Sequence, residues 1–315
     1  MRIILIGQAP FGARTLEALL DAGENVVAVY TPPEKPGSKP DPLKEAAQAR
    51  GVKNANPEPK AYKDEQVFRE FTGLRPDLVV LAFVTFTVPA RYFGAAGKGA
   101  ICYHPSLLPR HRGASAINWA LIMGETRTGL TVFWPDEGID TGPILLQREV
   151  DIGPQDTAGS LYFDHLFPMG VEAILESVKL IREDKAPRTA QDNSLATYEP
   201  PCDDRYAGID WDSPGHQICN LVRGCDPQPG AYSGLRGEKV RFYGASFAPG
   251  KIAGGIDVAP GALTGLDLKG LRIAAAGGEL LVTKVRTSSA GKVDAAAWAE
   301  SAGVKPGERF GGLPK

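Results

Sequence analysis

Two of the chain's four histidines lie close together in ICYHPSLLPRHRGASAINW, residues 101–119. A short apolar run ends on His104, Pro105 follows at once, and the chain enters a loop with two leucines and a second proline, Pro109. Pro105 fixes its own φ and biases His104 towards an extended backbone, so the imidazole is aimed rather than mobile. A histidine at a strand end suits a hydrogen-bonded packing role. It equally suits general acid/base work, or polarisation of a carbonyl, near neutral pH. Downstream, WPDEGIDTGPIL sets Asp136, Glu137 and Asp140 in one glycine-bearing loop. Three acids so close together suit a solvated turn, but one of them could reach an imidazole, orient it and favour its charged form. Asp140, between Ile139 and Thr141-Gly142, has the most apolar flanks and is expected to be partly buried.

Other constellations carry less. The spacing of His104 and His111 matches no strong metal-ligand motif, even with the nearby acids, and no metal is expected. Arg110, His111 and Arg112 precede the helical run ASAINWALIMG. Cations are not favoured at a helix N-terminus, which points to an anionic ligand or a carboxylate partner for them. His165 sits in an apolar helical stretch and reads as packing, and His216 has no cluster around it. Cys102, Cys202, Cys219 and Cys225 form no C-x-x-C pair and suggest neither a disulfide framework nor a zinc site. GQAPFG after the first apolar run is not G-x-G-x-x-G, and no acid closes the run VVAVYT, which argues against a dinucleotide site.

The elements that must hold these residues follow from hydrophobic period. RIILIG, NVVAVYT, PDLVVLAF, GAICYH and GLTVFWP read as buried strands. FGARTLEALLDAG and LKEAAQARG read as helices, the first stopped by Gly23, and PPEKPGSKPDP as a loop. Strands alternating with helices predict a Rossmann-like α/β domain with a parallel sheet, whose ligands sit beyond the carboxyl ends of the strands. His104 and the loop after LTVFW are both at such ends. Residues 156–184 have helical period with a kink expected at Pro168, and 185–208 turn polar and read as a linker. A short helix over 213–223 then precedes KVRFYGASF, LRIAAA and LLVTKVRT, short β-like runs between Gly-rich turns that predict a small β-barrel.

Composition bounds the function classes. The chain has 315 residues, 43% hydrophobic and 23% charged, with a net charge of −2, so it reads as globular with no basic surplus for non-specific nucleic-acid binding. Residues 204–315 carry 14 Lys/Arg against 11 Asp/Glu, a net of +3, which leaves −5 for residues 1–203. No run reaches the roughly 18 apolar residues of a membrane span, and the N-terminus lacks a cleavable signal pattern. A cytoplasmic protein with reduced thiols and no membrane partner is expected.

HPSLLPRHRGASAINW followed by FWPDEGIDTGPILLQ closely resembles the folate-dependent formyltransferase family, nearest to the N-terminal hydrolase domain of 10-formyltetrahydrofolate dehydrogenase. The likeness runs from IGQAPFG through DPL at Asp41 to Leu43, and on into LATYEP, IDW and RGCDPQPGAYS. It implies a formyltransferase-fold catalytic domain over residues 1–203 and a small barrel-like, OB-like domain over 204–315. It places the family's catalytic histidine on His104 and its aspartate on Asp140. The folate pocket falls on Phe86, Thr87 and Val88, with Leu107, Leu108 and Pro109 as another wall and Asp140 at its edge. The formyl donor is 10-formyltetrahydrofolate, and no metal is implied.

Two departures narrow the activity. Transferases of this family show Asn-x-His, the asparagine helping to hold the formyl oxygen, whereas this chain has Cys102-Tyr103-His104. A weak S–H donor is a poor substitute for a carboxamide in an oxyanion site, which favours the hydrolase-like branch. A chain of 315 residues also shows no aldehyde-dehydrogenase or carrier domain, so NADP-dependent oxidation to carbon dioxide is not expected of it alone. The expected reaction is removal of the formyl group, to water or to an acceptor. The alternatives are transfer to methionyl-tRNA or an amino sugar nucleotide, and a non-catalytic folate-binding subunit that hands formyl groups to an acceptor or carrier protein. A tRNA acceptor is the one nucleic-acid partner left open.

Overall fold

The computed structural model describes residues 1–34, 37–250 and 258–313. Lys35 and Pro36 of the Pro-rich loop, and parts of the expected barrel domain (251–257 and 314–315), lie outside the described residues. The chain begins β1 (Arg2–Gly7), α1 (Ala9–Asp21), β2 (Asn25–Tyr30), α2 (Pro42–Ala49), β3 (Asn54–Ala55), α3 (Glu65–Gly73), β4 (Leu78–Ala82), α4 (Arg91–Gly94) and β5 (Ala100–His104). It continues α5 (Ala116–Ile122), β6 (Arg127–Phe133), β7 (Ile144–Asp151), α6 (Ala158–Ser160), α7 (Phe167–Arg182) and α8 (Gly215–Gly224). The last elements are β8 (Ala231–Leu235), β9 (Glu238–Pro249), β10 (Leu263–Asp267), β11 (Gly270–Ala275), β12 (Gly278–Arg286), β13 (Val293–Asp294) and α9 (Ala295–Ser301). They sort into two compact units. One comprises Met1–Ala114, Gly129–Val150 and Phe163–Glu199; the other comprises Ser115–Thr128, Asp151–Tyr162 and Pro200–Lys315.

The first unit holds a sheet ordered β3-β2-β1-β4-β5-β6-β7. The strands from β3 to β5 pair in parallel, whereas β6 runs antiparallel to β5. The expected parallel sheet is therefore mixed. An apolar run such as LTVFW fixes burial but not direction, and the chain turns back after β5. The reversal has a consequence for the site: it sets Thr131 of β6 opposite His104. β1 is apolar from Ile3 to Ile6 because both of its faces are covered there. Ile4 and Ile6 join a cluster with Tyr30, Tyr62, Phe71 and Tyr92, while Ile3 and Leu5 are equally buried on the other face. Across β5 the same alternation turns Tyr103 towards Phe11 of α1, ring centroids 4.4 Å apart, and leaves Cys102 with the tyrosine cluster.

The turn after β1 also shows why no dinucleotide motif is present. A Cβ on Gly7 would lie 2.3 Å from Ala82 O, so glycine lets β1 and β4 approach. The N–H of Ala9 at the start of α1 is then taken by both carboxylate oxygens of Asp41, at 3.1 and 2.9 Å. An internal carboxylate thus occupies the helix terminus where a phosphate would otherwise bind.

Pro168, where a kink is expected, falls in the first turn of α7, directly after a π-helical turn over Leu161–Leu166. Residues 186–199, expected to be linker, belong to the first unit: Thr189 bridges Ile144 and Tyr198 bridges Arg112.

In the second unit the sheet runs β10-β11-β12-β9-β8, with β13 on β12, and the described pairings are antiparallel. Arg309 bridges Ala262 beside β10 and Gly311 bridges Gly234 of β8, so the C-terminal segment joins the two edge strands and closes the sheet. Trp211, Phe242 and Phe310 pack inside it, their ring centroids 5.1 to 6.3 Å apart.

Asp204 ties the entry of this unit to β9. It accepts two bonds from Arg241, at 2.7 and 2.8 Å, and one from Lys239 at 3.0 Å. The Arg241 guanidinium, aided by Lys239, holds the Asp204 carboxyl well below the usual carboxylate range, at about 2. A carboxyl depressed in the folded state stabilises above its unfolded pKa and loses that contribution as pH falls through the folded one. Asp204→Asn is therefore expected to lower Tm modestly at pH 7, through a half-exposed pair worth up to about 1 kcal/mol. The gap to wild type should close as pH drops from about 4 towards about 2. A gap unchanged across that window, followed by thermal melts, would remove this role. Among the described residues, no helix is long and apolar enough to cross a membrane.

Candidate active site

His104 ends β5 with its ring buried, its side chain 8% exposed. Nε2 lies 2.7 Å from the carbonyl oxygen of His111. A carbonyl only accepts, so Nε2 carries a hydrogen and donates it. His111 presents that carbonyl from a left-handed backbone, φ 54°. Its own N–H donates to Thr197 Oγ1 at 2.8 Å, and its buried ring faces Glu199 Oε2 at 3.2 Å. Nδ1 of His104, the nitrogen left to exchange a proton, faces Asp140 Oδ2 at 3.5 Å.

Asp140 also sits in the left-handed region, φ 55°, a conformation tolerated by aspartate more readily than by most residues. Its Oδ2 accepts the N–H of Gly113 at 2.8 Å. Gln191 donates to the carbonyls of Asp140 and Gly142, at 2.9 and 2.7 Å. A Cβ on Gly142 would lie 1.8 Å from Trp134 O, so the D-x-G spacing follows from a close backbone approach.

The SLLP loop is anchored from the strand opposite. Thr131 Oγ1 is fully buried, donates to Ser106 O at 2.7 Å and accepts from Leu108 N at 3.1 Å. Gln147 of β7 donates to Leu108 O and to Thr131 Oγ1, at 2.8 and 2.9 Å. Leu108 is buried, with Leu107 and Pro109 half-buried on either side. Phe86 and Val88 pack in the tyrosine cluster that also receives Cys102, Phe86 at 5.2 Å from Tyr62, while Thr87 is exposed.

The structure thus brings His104 and Asp140 into direct contact, with Cys102 on the same face of β5, two residues before His104. Burial, and then the Asp140 carboxylate, push the Cys102 thiol well up, so it stays neutral. Its Sγ lies 3.6 Å from Tyr103 O and donates there.

Sequence reasoning misplaced Arg112. It is buried, 3% exposed, and bonds to Gln191 Oε1, Asn193 Oδ1 and Tyr198 Oη, neutral acceptors rather than a carboxylate. It missed Gln191 and Gln147. Thr131, a polar residue inside an apolar run, was the available signal. Among the described residues, no three His, Cys, Asp or Glu side chains cluster as metal ligands would.

The architecture is that of a mixed-sheet α/β enzyme with an imidazole and a carboxylate paired at a strand end, followed by an antiparallel closed sheet. Residues 1–175 match the model of the formyl transferase family, and residues 204–303 match that of the formyl transferase C-terminal domain. The chain belongs to this family. It is 44% identical to the mitochondrial 10-formyltetrahydrofolate dehydrogenase of Mus musculus over 258 residues, 81% of this chain but 28% of that protein. The chain therefore spans little more than a quarter of those dehydrogenases. It is 32% identical to the methionyl-tRNA formyltransferase of Desulforamulus reducens, over 99% of this chain and 98% of that one. Its fold is similar to that of HypX from Aquifex aeolicus in complex with tetrahydrofolic acid, with a TM-score of 0.65, 20% identity, and coverage of 95% of this chain and 47% of HypX. It is likewise similar to an N-formyltransferase from Helicobacter canadensis, with a TM-score of 0.66, 17% identity, and coverage of 93% and 100%.

Proposed function

We propose that this protein removes the formyl group of 10-formyltetrahydrofolate by hydrolysis, giving tetrahydrofolate and formate. The observation that carries the proposal is the His104–Asp140 pair, with Nε2 committed to a carbonyl and Nδ1 free to exchange a proton beside a carboxylate. His104 takes a proton from water as the water oxygen attacks the formyl carbon, and Asp140 balances the imidazolium charge. The tetrahedral intermediate collapses with cleavage of the C–N10 bond. The proton on His104 passes to N10, so tetrahydrofolate leaves neutral at that nitrogen. Phe86, Thr87 and Val88 with Leu107, Leu108 and Pro109 form the folate walls, residues 1–203 are the catalytic domain, and 204–315 are the C-terminal domain. A reduced, cytoplasmic setting belongs to the same reading. Cys102 in place of a carboxamide favours water over an amine as acceptor.

The end-to-end match to a methionyl-tRNA formyltransferase supports a second reading, transfer to an amine. One incubation separates the two. Purified protein with 10-formyltetrahydrofolate in plain buffer is expected to release formate and tetrahydrofolate steadily. Silence in buffer, with turnover only when methionyl-tRNA or an amino sugar nucleotide is added, supports transfer. Tight binding with no turnover under either condition supports a non-catalytic carrier.

A further inference from the structure

We propose that Gln191 is the positioning residue that holds Asp140 against His104, braced from behind by the buried guanidinium of Arg112. All four hydrogen-bonding sites of its carboxamide are in use. The two N–H groups go to Asp140 O and Gly142 O, at 2.9 and 2.7 Å. The oxygen accepts Arg112 Nε and Nη2, at 3.2 and 2.7 Å. These partners fix which way the amide points: a guanidinium offers no acceptor to an N–H, and a carbonyl offers no donor to an oxygen. Gln191 is 8% exposed and Arg112 3% exposed, so neither set of bonds is exchangeable for water at low cost.

The geometry gives the clamp a definite task. Asp140 holds a left-handed backbone at φ 55° and approaches His104 only at 3.5 Å, longer than an ordinary hydrogen bond. Its carboxylate has one backbone anchor, the N–H of Gly113. The two carbonyls gripped by Gln191 flank Thr141, so the amide spans the turn that carries Asp140. Without the clamp the turn can relax, and a displacement near 1 Å at a reacting pair costs on the order of 10² in rate. Among the described residues Gln191 makes no hydrogen bond to His104 or to the Asp140 carboxylate, and grips the turn through its backbone carbonyls.

This inference rests on the roles proposed for His104 and Asp140, and the experiment separates the two. Gln191→Glu keeps an acceptor for Arg112 but cannot donate to either carbonyl. Gln191→Leu loses both sets of bonds at similar volume, and carries the test if the glutamate variant does not fold. Asn193→Ala is the control, because it removes an Arg112 partner with no bond to the Asp140 turn. For Gln191→Glu, kcat is expected to fall by about tenfold or more, with tetrahydrofolate binding and KM held within about twofold. Its kcat–pH profile is expected to move by about half a unit or more, and that of Asn193→Ala to stay in place. The inference is overturned by a kcat within about threefold of wild type in a folded variant. It is also overturned if lost activity runs parallel to lost tetrahydrofolate binding and Tm in both variants, which marks a purely structural residue. If His104→Ala and Asp140→Asn keep full turnover, the hydrolase reading has failed. If they lose it and Gln191→Glu does not, only the role of Gln191 has.

Discussion

His104→Ala is expected to lower kcat for formate release by about 10³ or more, and Asp140→Asn by on the order of 10², with both variants folded and still binding tetrahydrofolate. The first figure is about 4 kcal/mol of transition-state stabilisation, the range expected for loss of a positioned acid/base group. His104→Ala removes the imidazole that faces Asp140. Asp140→Asn is the finer test, because an asparagine oxygen can still accept the Gly113 N–H at the position now held by Oδ2. What it loses is the negative charge facing Nδ1, and with it the partner that stabilises an imidazolium. The loss should therefore fall on kcat, with KM little changed. Near-wild-type kcat in either variant, measured by formate release under saturating 10-formyltetrahydrofolate, would falsify the assignment.

How much of this was legible in the sequence depends on the kind of signal each residue leaves. His104 announces itself through Pro105 and the apolar run before it, and Asp140 through its flanks and the glycine two positions on. Both signals are local, and a strand end is where a ligand site is expected. Gln191 leaves no such trace. Its partners are backbone carbonyls 51 and 49 residues earlier in the chain, so nothing about a glutamine in APRTAQDNSLATYEP marks it. The polar, proline-containing composition that reads as linker is instead spent on the loops behind the site, through Gln191, Asn193, Thr197, Tyr198 and Glu199. Strand direction was equally hidden: the apolar run of β6 encodes burial, and its reversal shows only in the register with β5. The small barrel was expected from the β-like runs, but the segment that closes it was not marked, for a related reason. Residues 307–311 look like a glycine-rich tail, and they bond to both edges through the backbone with Phe310 as the apolar anchor.

Cys102→Asn is expected to raise kcat by on the order of tenfold to 10², the converse of removing an oxyanion donor elsewhere. The wild-type thiol contributes little to a developing oxyanion. It is neutral, it is a weak donor, and its hydrogen is directed to Tyr103 O. Cys102→Ala should accordingly keep kcat within about threefold of wild type. An asparagine at this position stands on the same face of β5 as His104, two residues before it, and offers two N–H donors where the thiol offers one that is already engaged. The gain is expected to be larger for transfer to an added amine than for release to water, since the carboxamide is what the family's transferases have and this chain lacks. The pair of variants is read together by formate release and by formyl transfer to added amine. A loss of more than about 10² in Cys102→Ala would make the thiol a participant and overturn the view that it is a bystander. No gain in a folded Cys102→Asn would mean that the oxyanion does not draw on a donor at this position.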